Sequence, residues 1–280
     1  MTVLHEEEGI AQTAIEAAFT EVERVEAVMS LYRPESQISR LNRDGVLHAP
    51  DASFVEVLRQ ALEVSERSEG AFDITVQPLW QLHERSAAPD AEAIREVRSR
   101  VGWRQVKVGP DRVSLPPGAA ITLNGIAQGF AADAVLRVIR GHGVRHALID
   151  TGEFAAMGRN AEGHPWRIGI QHPRKRDAFA AVTQLEDRCL STSGDYETAF
   201  SGDFSAHHIF DPRSGRSPLE LASVSVLAPT AMLADALSTT LFVLGEKRGI
   251  DFLRHYPGTD ALLIFKDGRQ VTTPGFTLVG

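Results

Sequence analysis

The chain has 280 residues, 43% of them hydrophobic, and a formal net charge of −8. That length can bury a large core, as one α+β domain or two intertwined lobes, and the negative balance excludes nucleic acid as a partner, because such binders carry a basic footprint. The single cysteine, Cys189, excludes an intrachain disulfide and a cysteine-rich zinc site, and no apolar run reaches the length of a transmembrane segment.

The N-terminus, Met1-Thr-Val-Leu-His-Glu-Glu-Glu8, is acidic and lacks the apolar core of a signal peptide. The expectation is a soluble cytoplasmic protein as written. A processed exported precursor would leave the same sequence.

Residues 10–31 read as a helix, with Ile15, Phe19, Val22 and Met29 near helical spacing and Glu21, Glu23, Arg24 and Glu26 on the wet side. A polar turn, Arg33-Pro-Glu-Ser36, leads to a short segment ending at Leu41-Asn42. A second amphipathic helix covers 52–67 with Phe54, Leu58 and Leu62 inward, and stops at Ser68-Glu-Gly70. The run Gly70-Ala-Phe-Asp-Ile-Thr-Val-Gln-Pro-Leu-Trp80 reads as extended. In that conformation Asp73 and Thr75 share one side, Phe72 and Ile74 the other. Residues 88–101 form a third helix, and Trp103–Leu115 alternates like a strand pair around Gly109-Pro110.

Ala119–Leu123 is strand-like, Asn124-Gly125 is a turn, a helix runs from Ala127 to Gly141, and Arg145–Ile149 is another strand. That order predicts a βαβ-like unit. Further strands are expected at Trp166–Gln171, Ala181–Glu186, His207–Phe210 and Ser223–Leu227. Asp260–Lys266 and Gln270–Thr273 form a hairpin around Asp267-Gly268. The local basic cluster Arg174-Lys-Arg176 reads as a solvated loop.

Four constellations carry chemistry. In the helix beginning near Pro229-Thr230, Asp235 and Thr239 lie one turn apart on one face, with Ser238 beside them, in an otherwise apolar wall. Carboxylate and hydroxyl oxygens are the hard donors that Mg²⁺ prefers. The competing reading, a buried Asp that caps the helix, suits a residue nearer the helix start. Asn124-Gly-Ile-Ala-Gln-Gly129 places two glycines before a helix, where free N–H groups can face a phosphate, although glycine turns before helices are common. Asp73 can accept from a ring N–H or ribose hydroxyl while Phe72 supports a planar ring; equally, it can satisfy nearby turn amides. His207 and His208 point to opposite faces of an extended segment, so only one of them can face a cleft, and Asp211-Pro-Arg-Ser-Gly215 is a turn. There is no Gly-x-Ser-x-Gly elbow.

In combination and order, these blocks resemble the ApbE family of flavin transferases, the FAD:protein FMN transferases. The matching blocks are Ser30-Leu-Tyr-Arg-Pro-Glu-Ser36 with Leu41-Asn42, Gly70–Val76, Leu123-Asn-Gly-Ile-Ala-Gln-Gly-Phe-Ala-Ala-Asp133, Thr192-Ser-Gly-Asp-Tyr196, His208–Gly215 and Ser223 to Gly245, spread over residues 12–265. The resemblance implies a single ApbE-like domain over 1–280 and an α+β, T-fold-like, compact two-lobed architecture with mixed or antiparallel sheets flanked by helices. It also implies Mg²⁺-dependent transfer of FMN from FAD to a Thr or Ser hydroxyl of an acceptor protein, releasing AMP. The acceptor hydroxyl would lie in a short acidic, Ser/Thr-Gly-Ala-Thr-like motif. Hydrolysis of FAD to FMN and AMP, or FAD binding without turnover, are the alternatives.

By position, the resemblance makes Asp235 and Thr239 side-chain metal ligands, with Ser238 close by, and Gly125 a carbonyl ligand. Tyr32, Ala71, Phe72, Asp73, Thr122, Gln128 and Phe210 fall where the family contacts FAD. His208 is the cleft histidine and, with Asp235, the catalytic pair. The chain departs from the family pattern at Thr122, where an Asp is common, at Gln128, where Lys or Glu is common, and at Thr151-Gly-Glu-Phe154, where a Gly-Gly-Asp-like segment is usual. The family's flavin-covering Met-Gly-Thr strand is missing or reduced to Met1-Thr-Val-Leu4.

Overall fold

A computed structural model describes residues 1–86 and 88–279. Strand β1 (Thr2–Leu4) precedes the long helix α1 (Glu8–Met29), then α2 (Gln37–Asp44), β2 (Val46–His48) and α3 (Ala52–Arg67). These helices start where their side chains satisfy free amides: the Ser36 hydroxyl accepts from Ser39 N–H, and Asp51 accepts from Ser53 N–H at 2.8 Å. Helix α2 ends at Gly45, whose φ of 71° suits the left-handed cap.

The expected extended run over 70–80 is instead a turn entering a helix. Asp73 Oδ1 accepts from both the Thr75 N–H (2.8 Å) and the Thr75 hydroxyl (2.6 Å), which winds Ile74–Val76 into a 3-10 turn. Helix α4 (Gln77–Arg85) follows directly, with Pro78 in its first turn, where the missing N–H costs nothing. Helix α5 (Ala91–Arg98), strands β3 (Lys107–Val108) and β4 (Arg112–Ser114), and helix α6 (Ala127–Gly141) come next. The predicted strand at 119–123 is not one. The Asn42 side chain pairs with the backbone there, its Nδ2 donating to Ile121 O (2.8 Å) and its Oδ1 accepting from Ile121 N–H (2.7 Å), while Thr122 N–H donates to Ile74 O. A side-chain amide thus supplies the donor and acceptor a neighbouring strand would have offered.

Strands β5 (His146–Asp150), β6 (Phe154–Met157), β7 (Trp166–His172), β8 (Lys175–Leu185), β9 (Cys189–Gly194) and β10 (Leu221–Ala228) lead to helix α7 (Ala231–Leu253), and β11 (Asp260–Phe265) and β12 (Gln270–Thr272) end the fold. One seven-stranded sheet has the order β1-β5-β6-β9-β10-β11-β12, with every neighbouring pair antiparallel. The expected βαβ-like unit is therefore absent, because β5 pairs antiparallel with β1 and β6. The Met1–Leu4 remnant is the edge strand of this sheet. Strands β2, β4 and β3 make a small second sheet, and β7 with β8 a two-stranded hairpin. His207–Phe210 contributes a single bridge, Ala199 to His207, in place of a strand.

Period-two alternation decides what each sheet face covers. On β11, Ala261, Leu263 and Phe265 join the core under α7, while Leu262 and Ile264 meet Trp166, Ile168 and Ile170 of β7 on the opposite face. Ala14 and Ala18 of α1 and Val135 and Ile139 of α6 pack over Ala147, Ile149 and Ala155. A separate core gathers α2, α3 and the small sheet around Phe54, Leu58 and Ile121. Helix α7 breaks at Gly245 (φ 73°), where Glu220 accepts from Glu246 N–H at 3.1 Å and restarts the helix. Among the described residues no helix is long and apolar enough to cross a membrane.

Candidate functional site

The structure contains a cleft of about 690 Å³. Its wall takes residues from the end of α1, the Ala71–Asp73 turn, the Thr122–Gln128 turn into α6, the β5–β6 turn, β9, the loop before β10 and the inward face of α7. Tyr32, Ala71, Phe72, Asp73, Thr122, Gly125, Gln128, His208, Phe210, Asp235 and Thr239 all line it. Val22 of α1 and Thr239 of α7, more than 200 positions apart in sequence, line the same cleft, and α6 and α7 pack against each other.

Asp235 is 3% exposed and its Oδ2 accepts from the Gly129 N–H at 3.0 Å, in the first turn of α6. Gly125 abuts Thr239: a Cβ there would sit 2.9 Å from Thr239 Oγ1 and 3.4 Å from the Phe72 ring. Ser193 bridges behind them, 3.1 Å from Thr239 Oγ1 and 2.7 Å from Ser238 Oγ. Ser238 does not line the cleft; its hydroxyl is fully buried, shared with Ser193 and Ser191, and donates to the Asp235 carbonyl at 2.9 Å.

Sequence reasoning missed Glu153. It stands on the β5–β6 turn, lines the cleft at 6% exposure and accepts from Thr192 N–H at 3.3 Å. Burial pushes its carboxyl well above the usual range, and the Asp235 charge pushes it further. Burial likewise raises Asp235, against the Gly129 hydrogen bond and with the help of Asp133. The signal for Glu153 was the Thr151-Gly-Glu-Phe154 block, but only folding brings that turn to α7.

These donors fit a hard divalent cation. They are all oxygens, and two buried carboxylates, Asp235 and the Glu153 whose ionisation it opposes, gain from a positive charge nearby. Among the described residues there is no cluster of three or more His, Cys, Asp and Glu, so the hydroxyl of Thr239 and backbone carbonyls would complete a ligand set. The lining includes Glu26, Asp73, Glu153, Glu197 and Asp235 but no Lys or Arg. Arg213 pairs with Asp211 at 2.8 Å and does not turn inward.

Phe72, Trp80 and Phe210 add aromatic rings to the lining, with Phe72 beside Gly125, His83 5.0 Å from the Phe210 ring and Phe200 stacked 6.4 Å from it. Tyr32 stands at the rim, 82% exposed. Asp73 faces the cleft, but its oxygens already serve Thr75 and the Trp103 N–H (3.1 Å), so its first task is to shape the turn that presents Phe72. Gln128 is exposed on the first turn of α6, with its Nε2 3.4 Å from Thr151 O.

The two histidines divide as expected. His207 is fully buried, its Nε2 3.0 Å from Pro218 O and its ring edge-on to Phe242. His208 lines the cleft with its Nδ1 3.3 Å from Thr198 O. A carbonyl only accepts, so Nδ1 carries the proton and Nε2 is a free acceptor. Burial lowers the His208 pKa, which favours the neutral ring.

The chain is similar to known proteins. The family model described as "ApbE family" matches residues 1–263. A FAD:protein FMN transferase of Treponema pallidum is 35% identical over 94% of this chain and 80% of that protein, and one from Haemophilus influenzae is 34% identical over 89% and 77%. The ApbE protein of Thermotoga maritima superposes with a TM-score of 0.88 at 27% identity, covering 97% of this chain and 92% of that one. The flavin transferase ApbE of Vibrio cholerae superposes at 0.83 with 28% identity, covering 98% and 91%. With relatives above 30% identity over most of their length, and a family model that matches residues 1–263, this chain belongs to the ApbE family.

Proposed function

We propose that this chain transfers the FMN half of FAD to a Thr or Ser hydroxyl of an acceptor protein, releasing AMP, and that it requires Mg²⁺. The observation that carries the reading is the cleft itself, whose lining combines aromatic rings with a carboxylate and hydroxyl cluster and, among the described residues, no Lys or Arg to meet a pyrophosphate. Asp235, Thr239 and the Gly125 carbonyl would hold the metal, with Glu153 beside them. When bound it would neutralise charge on the transferring phosphoryl group.

The side chains do the remaining work. Phe72 and Phe210 orient a planar ring, and the buried floor excludes water. His208 Nε2 takes the proton from the acceptor hydroxyl as its oxygen bonds to the FMN phosphorus. The P–O bond to the AMP half breaks, and the bridging oxygen leaves with AMP. The acceptor is a protein segment with a short acidic Ser/Thr-Gly-Ala-Thr-like motif.

The test is a mass spectrum of such a peptide after incubation with the protein, FAD and Mg²⁺. The expected result is a mass gain of one FMN with release of AMP. Free FMN and AMP with an unmodified peptide, from a batch that other transferases do modify, would make the protein a FAD pyrophosphatase. Intact FAD would reduce it to a binding protein.

A further inference from the structure

Asp195 is fully buried at the end of β9, next to residues that line the cleft, and the mechanism above gives it no task. Its partner comes from the opposite side of the sheet. Arg174, in the turn joining β7 and β8, reaches back with Nη1 2.7 Å from Asp195 Oδ1 and Nη2 2.8 Å from Oδ2. The basic cluster expected to be a solvated loop therefore contributes a forked ion pair with a carboxylate that has no contact with water.

The pair belongs to a larger tie. The Arg174 guanidinium lies over the Phe204 ring at 4.1 Å. Lys266 Nζ stands 3.4 Å from Asp195 Oδ2 and donates to Phe204 O at 2.6 Å. Asp195 and Phe204 are the base and the tip of the loop that carries Thr198 and ends at His208. Within the loop, Phe200 N–H donates to Ala206 O and His208 N–H to Thr198 O. The carbonyl that sets the His208 tautomer therefore sits on a loop whose base and tip are both gripped by Arg174.

We infer that Arg174 is a positioning residue, which aims His208 by clamping its loop through Asp195. The inference rests on the reading of His208 as the proton acceptor. A lysine cannot reproduce the fork, since one ammonium offers a point charge where two parallel N–H groups now bind.

The test is a double-mutant cycle with Arg174→Met and His208→Ala, read as flavinylated acceptor peptide and AMP formed from FAD with Mg²⁺, alongside FAD affinity by flavin fluorescence. Arg174→Met is expected to lower kcat about tenfold or more in the wild-type background, and by less than about twofold when His208 is already Ala, because residues acting as a unit are not additive. FAD affinity stays within about threefold, as a positioning defect affects the chemical step more than ground-state binding. Arg174→Lys falls between, and Arg176→Met, in the same hairpin and exposed, leaves the rate unchanged.

Equal losses in both backgrounds would overturn the inference, because a general structural defect acts regardless of His208. So would full activity of Arg174→Met. If His208→Ala alone keeps full activity, the proton-acceptor reading fails instead. Should Arg174→Met strand the buried carboxylate and fail to fold, Arg174→Met/Asp195→Asn removes both charges and gives the same cycle.

Discussion

Asp133 and Asp235 stand on crossing helices, and each caps the first turn of the other's helix. Asp133, on α6, accepts from Ala231 N–H (2.8 Å) and Met232 N–H (2.9 Å) at the start of α7. Asp235, on α7, accepts from Gly129 N–H (3.0 Å) at the start of α6. The helices meet so closely there that a Cβ on Gly129 would lie 2.2 Å from Ala231 O. Both carboxylates gain from the positive end of the helix they cap. The crossing thereby holds Asp235 at the cleft floor.

Asp133→Ala should therefore loosen the start of α7. Losing a cap costs about 1–2 kcal/mol, and each kcal/mol lowers the melting temperature by about 2–4 °C for a chain of this size class. Calorimetry of the metal-free protein checks this, and an unchanged melting temperature would show that water replaces the cap without penalty.

Asp235→Asn should separate stability from function. The amide oxygen can still accept from Gly129, and removing the Asp235 charge, which raises the Glu153 pKa, relieves repulsion, so the melting temperature without divalent cations should hold or rise. Turnover with FAD and Mg²⁺ should drop by roughly a hundredfold or more, the usual scale for losing a principal electrostatic group. Full activity would remove Asp235 from the metal site.

Stability should fall in mild acid through His207. Burial lowers its pKa from 6.5 to about 4, with the Pro218 carbonyl and Asp195 opposing the shift and His208 and Lys266 adding to it. Between those values the unfolded chain binds a proton the folded one refuses, so stability is lost as pH falls from 6.5 towards 4, by roughly 3 kcal/mol in all. Asp235 and Glu153 act in the opposite sense, because their raised values make the folded state the better proton binder. Melting temperatures across this window should therefore slope less in His207→Phe than in the wild type; parallel curves would assign the acid sensitivity to another group.

Gln128→Lys should tighten FAD. The Gln128 side chain makes only a long contact to Thr151 O, while its backbone bond from the Thr151 hydroxyl persists in any variant. A cation added to a cleft lined by carboxylates gains about 1 kcal/mol or more from nearby phosphate in a wet site, and salt weakens that gain. Titration of flavin fluorescence at two salt concentrations reads it out, and a large loss of affinity would reveal a specific amide contact.

Elements whose information is local were legible. Helices at 52–67 and 127–141 follow from apolar periodicity, and the 260–272 hairpin from its Asp-Gly turn. Strand β9 was not: Cys189–Gly194 is buried on both faces yet rich in Ser and Thr, so it neither alternates nor reads as apolar, and its hydroxyls find partners on distant elements, among them α7 and β10. Helix α4 was hidden by an Asp73 side chain that turns the chain just before it.

The shared face of Asp235 and Thr239 needed only the 3.6-residue period, which is a property of neighbouring residues. The family pattern likewise lay in the linear order of short blocks. Glu153 facing Asp235, the crossed caps of α6 and α7, and Arg174 reaching Asp195 were decided by tertiary structure alone. Each brings a charged group to an element distant in sequence, and no periodicity or turn chemistry encodes that encounter; packing does, and the crossed caps and the Arg174 fork then satisfy carboxylates removed from water.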